Sequence, residues 1–339
     1  MEKIRVLVVD DSALMRRIIS DMINQEEDME VVSVARNGEE LLQKIEVLKP
    51  DVVTLDVEMP KMNGVQALKE LKKRGLETPV IMLSSITTEG ACITIECLEL
   101  GAFDFISKPS GSISLDINKV KNELIQKIKS SYKNKNKVVV KPKTIVRKSL
   151  EGSLEAIVIG ASTGGPKALT TVITNLPEHL GLPILVVQHM PIGFTRAFSE
   201  RLNNNSKIRV VEAENGIKIE KDTVYIAQGG SHMEVSLDKK IRLTKDPSIW
   251  GVRPAVDKLF ISASKVYKNK LMSIVLTGMG KDGANGSIEV KKQGGFTISE
   301  DESTCTIYGM PKAAFETGII DEVLPLGQVL SKIVKSSMK

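Results

Sequence analysis

Short apolar runs alternate with helix-period stretches along two separate parts of this chain, and that alternation restricts the fold more tightly than anything else in the sequence. In the first part residues 4–9, 31–35, 52–55, 80–83 and 103–106 read as strands, and residues 14–23, 38–48, 65–73 and 91–100 lie between them with helical spacing. Strands separated by helices pair in parallel, because each crossover helix returns the chain to the same edge of the sheet. A last helix, with Ile117, Val120, Leu124 and Ile128 on one face, closes this part.

A second α/β pattern begins after residue 153. Residues 156–159, 184–188, 208–212, 223–227, 272–276 and 295–299 read as strands, with helices over 168–176, 194–202, 256–267, 284–293 and 312–317. The division is therefore 1–125, a segment 126–153, and 154–339. The 130–153 stretch holds Ser, Asn, Lys and Pro without a sustained period and reads as a solvated linker, with the apolar triplet 138–140 available to dock as a short strand.

With 339 residues and 42% hydrophobic content, the chain can supply two cores. No apolar segment follows Met1-Glu2-Lys3 and no run approaches the roughly 18 residues of a membrane span, which predicts a cytoplasmic protein that is not integral to a membrane. Cys92, Cys97 and Cys305 have no metal-knuckle spacing and read as reduced packing residues. The net charge of +5 is uneven, since residues 119–148 carry +10 and the remainder −5. The basic character belongs to one stretch and not to a folded nucleic-acid reader.

Asp10 and Asp11 end the first strand and Asp56 follows the third, so a parallel sheet brings three carboxylates to one edge. Such crowding calls for a cation, and an all-oxygen set suits Mg²⁺, with one carboxylate left to accept a phosphoryl group. Ser84 and Lys108, after the fourth and fifth strands, fall where a hydroxyl and an ammonium can hold phosphate oxygens.

In the second part Ser162 occupies the turn of GASTGGPKAL, between a strand and a helix opened by Pro166. A hydroxyl there stands at the rim of a sheet, where Gly160, Gly164 and Gly165 let backbone N–H groups approach a reacting oxygen. The same Gly-rich turn also cradles phosphates. His189 follows the strand 184–188, and Asp282 lies in LTGMGKDGANG after the strand 272–276. Strand ends that precede helices share one rim of a parallel sheet, so Ser162, His189 and Asp282 qualify as nucleophile, base and orienting acid. His179 reads as a surface residue and His232 as a loop or supporting residue.

Through VVDDS, TLDVEMPKMNG, MLSS and FISKP, residues 1–125 resemble the receiver domain of two-component response regulators, a flavodoxin-like fold with a five-stranded parallel sheet. The resemblance implies that Asp56 is the phosphoacceptor, that Asp10, Asp11 and the Glu58 backbone carbonyl help bind Mg²⁺, and that Ser84 and Lys108 contact the phosphoryl group. Phe105 takes the switch aromatic position. The second part, through GASTGGPKAL, QHMPIGFTRAFSERL, YIAQGGSHM, RPAVDKLF, LTGMGKDGANG and IYGMPKAAFETG, resembles the catalytic domain of the chemotaxis receptor methylesterases, the protein-glutamate methylesterase and protein-glutamine deamidase family CheB. One departure is Gln228, where the family commonly has Pro before Gly-Gly.

That resemblance implies a doubly wound, mostly parallel α/β esterase domain. It also implies that Ser162 attacks a glutamate methyl ester, with an oxyanion contact from the Met279 backbone, support from Thr163, and no cofactor for the ester chemistry. Methyl-accepting chemoreceptors are the implied substrate and a chemotaxis histidine kinase the phosphodonor. The unphosphorylated receiver is expected to cover the active-site rim, and phosphoryl-Asp56 to loosen that contact through Ser84 and Phe105. The competing readings are a response regulator with a nucleic-acid-binding output, suggested by the basic stretch, or one with a non-catalytic scaffold. The first calls for a small helical reader, and the second for a decayed Ser/His/Asp set; neither matches the sequence.

Overall fold

Every apolar run of the N-terminal part forms a strand. The computed structural model describes residues 3–85, 87–108, 115–135, 144–147 and 153–337, which divide into two units, Met1–Val138 and Val139–Lys339. The first unit runs β1 (Ile4–Val9), α1 (Ala13–Asn24), β2 (Met29–Ala35), α2 (Gly38–Leu48), β3 (Val52–Asp56), α3 (Gly64–Lys73), β4 (Val80–Ser84), α4 (Thr88–Leu100), β5 (Asp104–Ser107) and α5 (Leu115–Lys135). Its strands pair in parallel in the order β2-β1-β3-β4-β5. Strands β3 and β4 are buried along their whole length, which explains why they read as continuous apolar runs and not as alternating ones.

Polar residues start the helices of this unit. The Ser12, Asn37 and Thr87 side chains accept backbone N–H groups at the openings of α1, α2 and α4, and Asn63 with Gln66 forms a reciprocal capping box on α3. On one face of the sheet Val6, Val8, Ile81, Leu83 and Ile106 pack with Ile19, Ile23, Leu124 and Ile128 of α1 and α5.

The expected boundary at residue 125 falls inside α5, so residues 126–135 are helix and not linker. The cause is packing and charge. Ile125, Ile128 and Ser131 are buried, and three lysines of α5 face acids. Lys121 Nζ lies 3.2 Å from Glu26 Oε1, and Lys129 Nζ lies 2.9 Å from Asp28 Oδ2. Lys127 is buried, bridging Asp104 and Glu123 at 3.3 and 2.6 Å. Three of the eleven basic residues in what reads in sequence as a free basic stretch, Lys121, Lys127 and Lys129, are thus paired with acids within the unit. The triplet 138–140 lies outside the described residues.

The second unit runs β6 (Ile145–Val146), β7 (Ala156–Ala161), α6 (Gly165–Ile173), β8 (Ile184–Gln188), α7 (Phe194–Asn205), β9 (Arg209–Glu212), β10 (Thr223–Ile226), β11 (His232–Val235), β12 (Ile241–Thr244), α8 (Val256–Tyr267), β13 (Leu271–Val275), α9 (Ala284–Lys292), β14 (Phe296–Glu300), α10 (Met310–Glu316), β15 (Glu322–Leu324) and α11 (Leu326–Ser337). The main sheet has the order β6-β15-β14-β13-β7-β8-β10-β9, parallel throughout except for β6, which pairs antiparallel with β15. Strands β6 and β15 are too short to show a period, and they become strands only by pairing with a neighbour. The β11–β12 hairpin stands apart from the main sheet. Met233, Val235 and Ile241 of the hairpin join Leu259, Phe260 and Ala263 of α8 in one core cluster.

Sheet order places the candidate residues. From β7 the chain builds outward to β8 on one side and later returns to place β13 on the other. The reversal leaves a crevice at the carboxyl ends of these central strands, where α/β sheets bind ligands.

Candidate functional site

Ser162 directly follows β7, whose residues are all buried, and is itself half-buried. Three hydrogen bonds fix its backbone. Its N–H donates to the Thr277 carbonyl at 3.0 Å, and its carbonyl accepts from Gly165 N–H at 2.7 Å and Gln188 Nε2 at 3.0 Å. Gly164 turns the chain into α6 with φ of +76°, a conformation that strains any residue with a Cβ. Gly278 lies against Ser162, and a Cβ there would stand 2.9 Å from Ser162 Cβ.

His189 extends the β7–β8 ladder by one bond, its N–H donating to the Ala161 carbonyl at 3.1 Å, which seats it beside Ser162. Its Nε2 lies 2.8 Å from Asp282 Oδ2. Asp282 is buried, and four donors converge on its carboxylate. Val256 N–H meets Oδ2 at 2.6 Å alongside His189, while Asp257 N–H at 2.8 Å and Gly283 N–H at 3.0 Å meet Oδ1. A buried charge is tolerated when its lone pairs are satisfied in this way, and two of the donors are the first amides of α8, whose own cap position, Ala255, offers no side-chain acceptor. With Nε2 engaged by Asp282, Nδ1 is the ring nitrogen left to take a proton. Among the described residues no hydrogen bond joins Ser162 Oγ to His189, a contact that is often long before substrate arrives.

The structure thus brings His189 and Asp282 into contact and sets Ser162 on the adjoining strand end. Thr163 is buried, its carbonyl accepting from Thr277 Oγ1 at 3.0 Å. Met279 follows Gly278 in the same rim loop. His232 is buried and ties down residues 247–255, with Nδ1 accepting from Ala255 N–H and Nε2 facing the Pro247 carbonyl, both at 3.1 Å. His179 is exposed.

Several supporting residues escape a reading of the sequence. Glu300, at the end of β14, is fully buried and accepts from Thr277 N–H at 2.8 Å and Thr304 Oγ1 at 2.9 Å. Asp257 is buried in the first turn of α8 and accepts from the N–H groups of Gly283 and Gly286 at 2.9 and 2.7 Å. Position after a strand, and an acid inside RPAVDKLF, are the only signals either leaves in sequence.

In the first unit Asp10, Asp11 and Asp56 each offer an oxygen within 4.8 Å of the others. The set is all-carboxylate and gathered at the β1/β3 switch point, which fits a hard divalent cation such as Mg²⁺. Lys108 Nζ lies 2.8 Å from both Asp10 Oδ2 and Asp56 Oδ2. Burial pushes the Asp56 carboxyl up to about 6, against the pull of Lys108 and with the Asp10 charge adding to the rise. Burial alone would lower Lys108, but the two carboxylates outweigh it and hold the ammonium above its usual range. Glu58 lies two residues beyond Asp56 and donates its N–H to Asp56 Oδ1 at 3.3 Å. Ser84 ends β4, yet its hydroxyl is turned into α4, where it faces the Gly90 carbonyl at 3.3 Å and accepts from Thr94 Oγ1 at 2.6 Å. Phe105 is buried, with Lys127 Nζ 5.4 Å from its ring centroid.

Known proteins share both halves. A family model described as the response regulator receiver domain matches residues 6–117, and one described as CheB methylesterase matches residues 157–333. A protein-glutamate methylesterase/protein-glutamine glutaminase of Clostridium acetobutylicum is 55% identical, the match covering 99% of this chain and 98% of the relative. The Thermotoga maritima protein of the same name is 46% identical, with 98% of each chain covered. The crystal structure of the Thermotoga maritima CheB methylesterase catalytic domain is 44% identical with a TM-score of 0.52, covering 54% of this chain and 99% of that domain. With one family model spanning more than half of its length and relatives matching it nearly end to end, this chain belongs to the CheB methylesterase family and carries a response regulator receiver domain ahead of the esterase domain.

Proposed function

We propose that this chain is a phosphorylation-controlled hydrolase that removes methyl groups from glutamate methyl esters of chemoreceptors, and deamidates their glutamines, through Ser162, His189 and Asp282. The observation that carries this reading is the 2.8 Å contact between His189 Nε2 and the buried Asp282 carboxylate, on a strand end adjoining Ser162.

In the proposed mechanism His189 Nδ1 takes the Ser162 proton as Oγ attacks the ester carbonyl, and the tetrahedral oxyanion forms. The Met279 backbone N–H donates to that oxyanion, and Thr163 supports the turn; one such donor is worth about 2.7–4 kcal/mol. Collapse breaks the C–O bond, and the imidazolium returns its proton to the leaving oxygen, releasing methanol. Water, deprotonated by His189, then attacks the acyl-enzyme and frees glutamate and Ser162. For a glutamine side chain the C–N bond breaks instead and ammonia leaves. Asp282 orients the ring and stabilises the imidazolium throughout.

Control falls to the first unit, with Asp56 accepting the phosphoryl group from a chemotaxis histidine kinase. Asp10, Asp11, Asp56 and the Glu58 carbonyl would hold Mg²⁺, which when bound neutralises the carboxylates and the phosphoryl oxygens. Lys108 is already at the carboxylates and receives a phosphoryl oxygen. Ser84, whose hydroxyl donates to the Ser85 and Gly90 carbonyls, must turn from them to do the same. In this reading the receiver ends with α5, residues 154–339 form the catalytic domain, and a connecting segment joins them. The protein works in the cytoplasm; no described helix is long and apolar enough to cross a membrane.

Incubation with methyl-labelled receptor tests the chemistry, and methanol release undiminished in Ser162→Ala would overturn it. Comparing release with and without a small phosphodonor tests control. Equal rates with Asp56 phosphorylation confirmed would sink that part.

A further inference from the structure

Asp257 is a buried acid that the triad chemistry leaves without a task. It lies in the first turn of α8, inside the RPAVDKLF motif. The hydrogen bonds around it form a closed exchange with Asp282. Asp257 donates its backbone N–H to Asp282 Oδ1 at 2.8 Å, and its own Oδ1 accepts from Gly283 N–H, the residue after Asp282, at 2.9 Å. The carboxylate of each therefore accepts from amides that open the other's helix, Val256 and Asp257 for Asp282, Gly283 and Gly286 for Asp257. Neither α8 nor α9 has a side-chain cap at its own cap residue, Ala255 or Gly283. The second oxygen of Asp257 is held by the sole tryptophan of the chain, Trp250 Nε1 donating to Oδ2 at 3.0 Å. Trp250 is half exposed, and Lys281 Nζ sits 4.1 Å from its ring centroid. An unbroken run of contacts thus leads from a surface indole through Asp257 and Asp282 to the His189 ring.

We propose that Asp257 is a positioning residue for the esterase site, holding the Asp282 carboxylate in the orientation that fixes the His189 ring, with Trp250 locking Asp257 in turn. A cap alone would be supplied by Ser, Thr or Asn without the penalty of a second buried acid. Here burial raises the Asp257 carboxyl above its usual range and the Asp282 charge adds to the rise, so the site keeps this acid against an electrostatic cost. The return is geometric and electrostatic. Both Asp282 oxygens are pinned by amides of α8, leaving Oδ2 directed at Nε2, and a further negative charge stands behind the imidazolium that forms on proton transfer.

The inference rests on the proposed triad, and the experiment separates the two. In the full chain, Asp257→Asn, Trp250→Phe and Ser162→Ala are compared by kcat and KM on methylated receptor, by the pH dependence of kcat/KM, and by thermal melting. Asp257→Asn is expected to lower kcat about 10- to 100-fold with KM unchanged, the scale known for residues that orient metal-ligating side chains from behind. It is also expected to move the acidic limb of the profile to lower pH, because the imidazolium loses a stabilising charge. Trp250→Phe keeps the ring but removes the donor, and shifts the same quantities in the same direction by less. Unchanged kcat and unchanged acidic limb in Asp257→Asn, with only the melting temperature lowered, would reduce Asp257 to a helix cap and overturn the proposal. If Asp257→Asn does not fold, Trp250→Phe decides: a wild-type kcat and limb overturn the proposal, a drop in kcat with a shifted limb supports it. Full turnover in Ser162→Ala would reject the triad itself, whereas an inactive Ser162→Ala beside a wild-type Asp257→Asn would reject this inference alone.

Discussion

The Glu300 carboxylate and the Thr277 backbone meet at 2.8 Å, and through that bond the end of β14 holds the turn that carries Ser162. Thr277 passes the constraint on, its carbonyl accepting Ser162 N–H and its hydroxyl reaching the Thr163 carbonyl, each at 3.0 Å. Glu300→Ala leaves the buried Thr277 N–H without this acceptor and is expected to cost about 1–3 kcal/mol of stability. Because the loosened segment includes Ser162, kcat on methylated receptor should fall more than KM rises. Melting curves and steady-state kinetics on the same preparation check both parts.

Asp282→Asn should reduce turnover by about 10⁴-fold, the scale seen when the acid of a Ser-His-Asp triad is neutralised and the imidazole takes the wrong tautomer. The substitution also replaces one oxygen that accepts from Val256 N–H and His189 by a donor group, so the melting temperature should fall as well. A variant that melts lower yet retains wild-type methanol release would place Asp282 outside the chemistry.

Lys127 is a second point where one buried charge holds two elements, α5 against β5. Its ammonium bridges Asp104 and Glu123 beneath the Phe105 ring. Lys127→Met removes that cation from a buried acid and is expected to destabilise the first unit by about 3 kcal/mol. Adding Asp104→Asn should recover part of the loss, which a double-mutant cycle by thermal or denaturant melting measures.

Glu155 supplies the pH test. Hydrogen bonds from Lys239 and Lys270, both at 2.7 Å, hold its carboxyl down at about 2 from a usual 4.5. A depressed folded-state value contributes stability that is present above about pH 4.5 and lost as pH falls toward 2. The pairs are largely solvent-exposed and screened, so Glu155→Gln should cost no more than about 1 kcal/mol at pH 7. Melting of the variant and the parent should converge as the solution is acidified. A gap that persists at pH 2 would mean that packing, not charge, carries the effect.

Strand and helix positions were legible in the sequence because periodicity is a local property. β1, α2, β8 and α8 have the bounds that their apolar spacing predicts. The same reading found α5 by its apolar face but set the end of the unit at residue 125, inside the helix, because Lys127 and Lys129 look solvated until Asp104 and Asp28 are brought against them by the fold. It also missed β6 and β15, since strands of two and three residues carry no period of their own.

The sequence by itself determined the alternation that makes two parallel sheets, and with it the presence of Ser162, His189, Asp282 and Asp56 at carboxyl-terminal strand ends. Only the tertiary structure decided that β13 inserts beside β7, which allows Asp282, 93 residues after His189, to reach its ring. It alone decided which buried acids support those residues, because Gly283 and Gly286, which donate to Asp257, and Thr277, which donates to Glu300, lie more than 20 positions away and carry no local signal. Secondary structure follows from nearest neighbours along the chain, whereas the orientation of the His189 ring depends on Asp282 and on the backbone amides that only sheet order and helix packing can bring to that carboxylate.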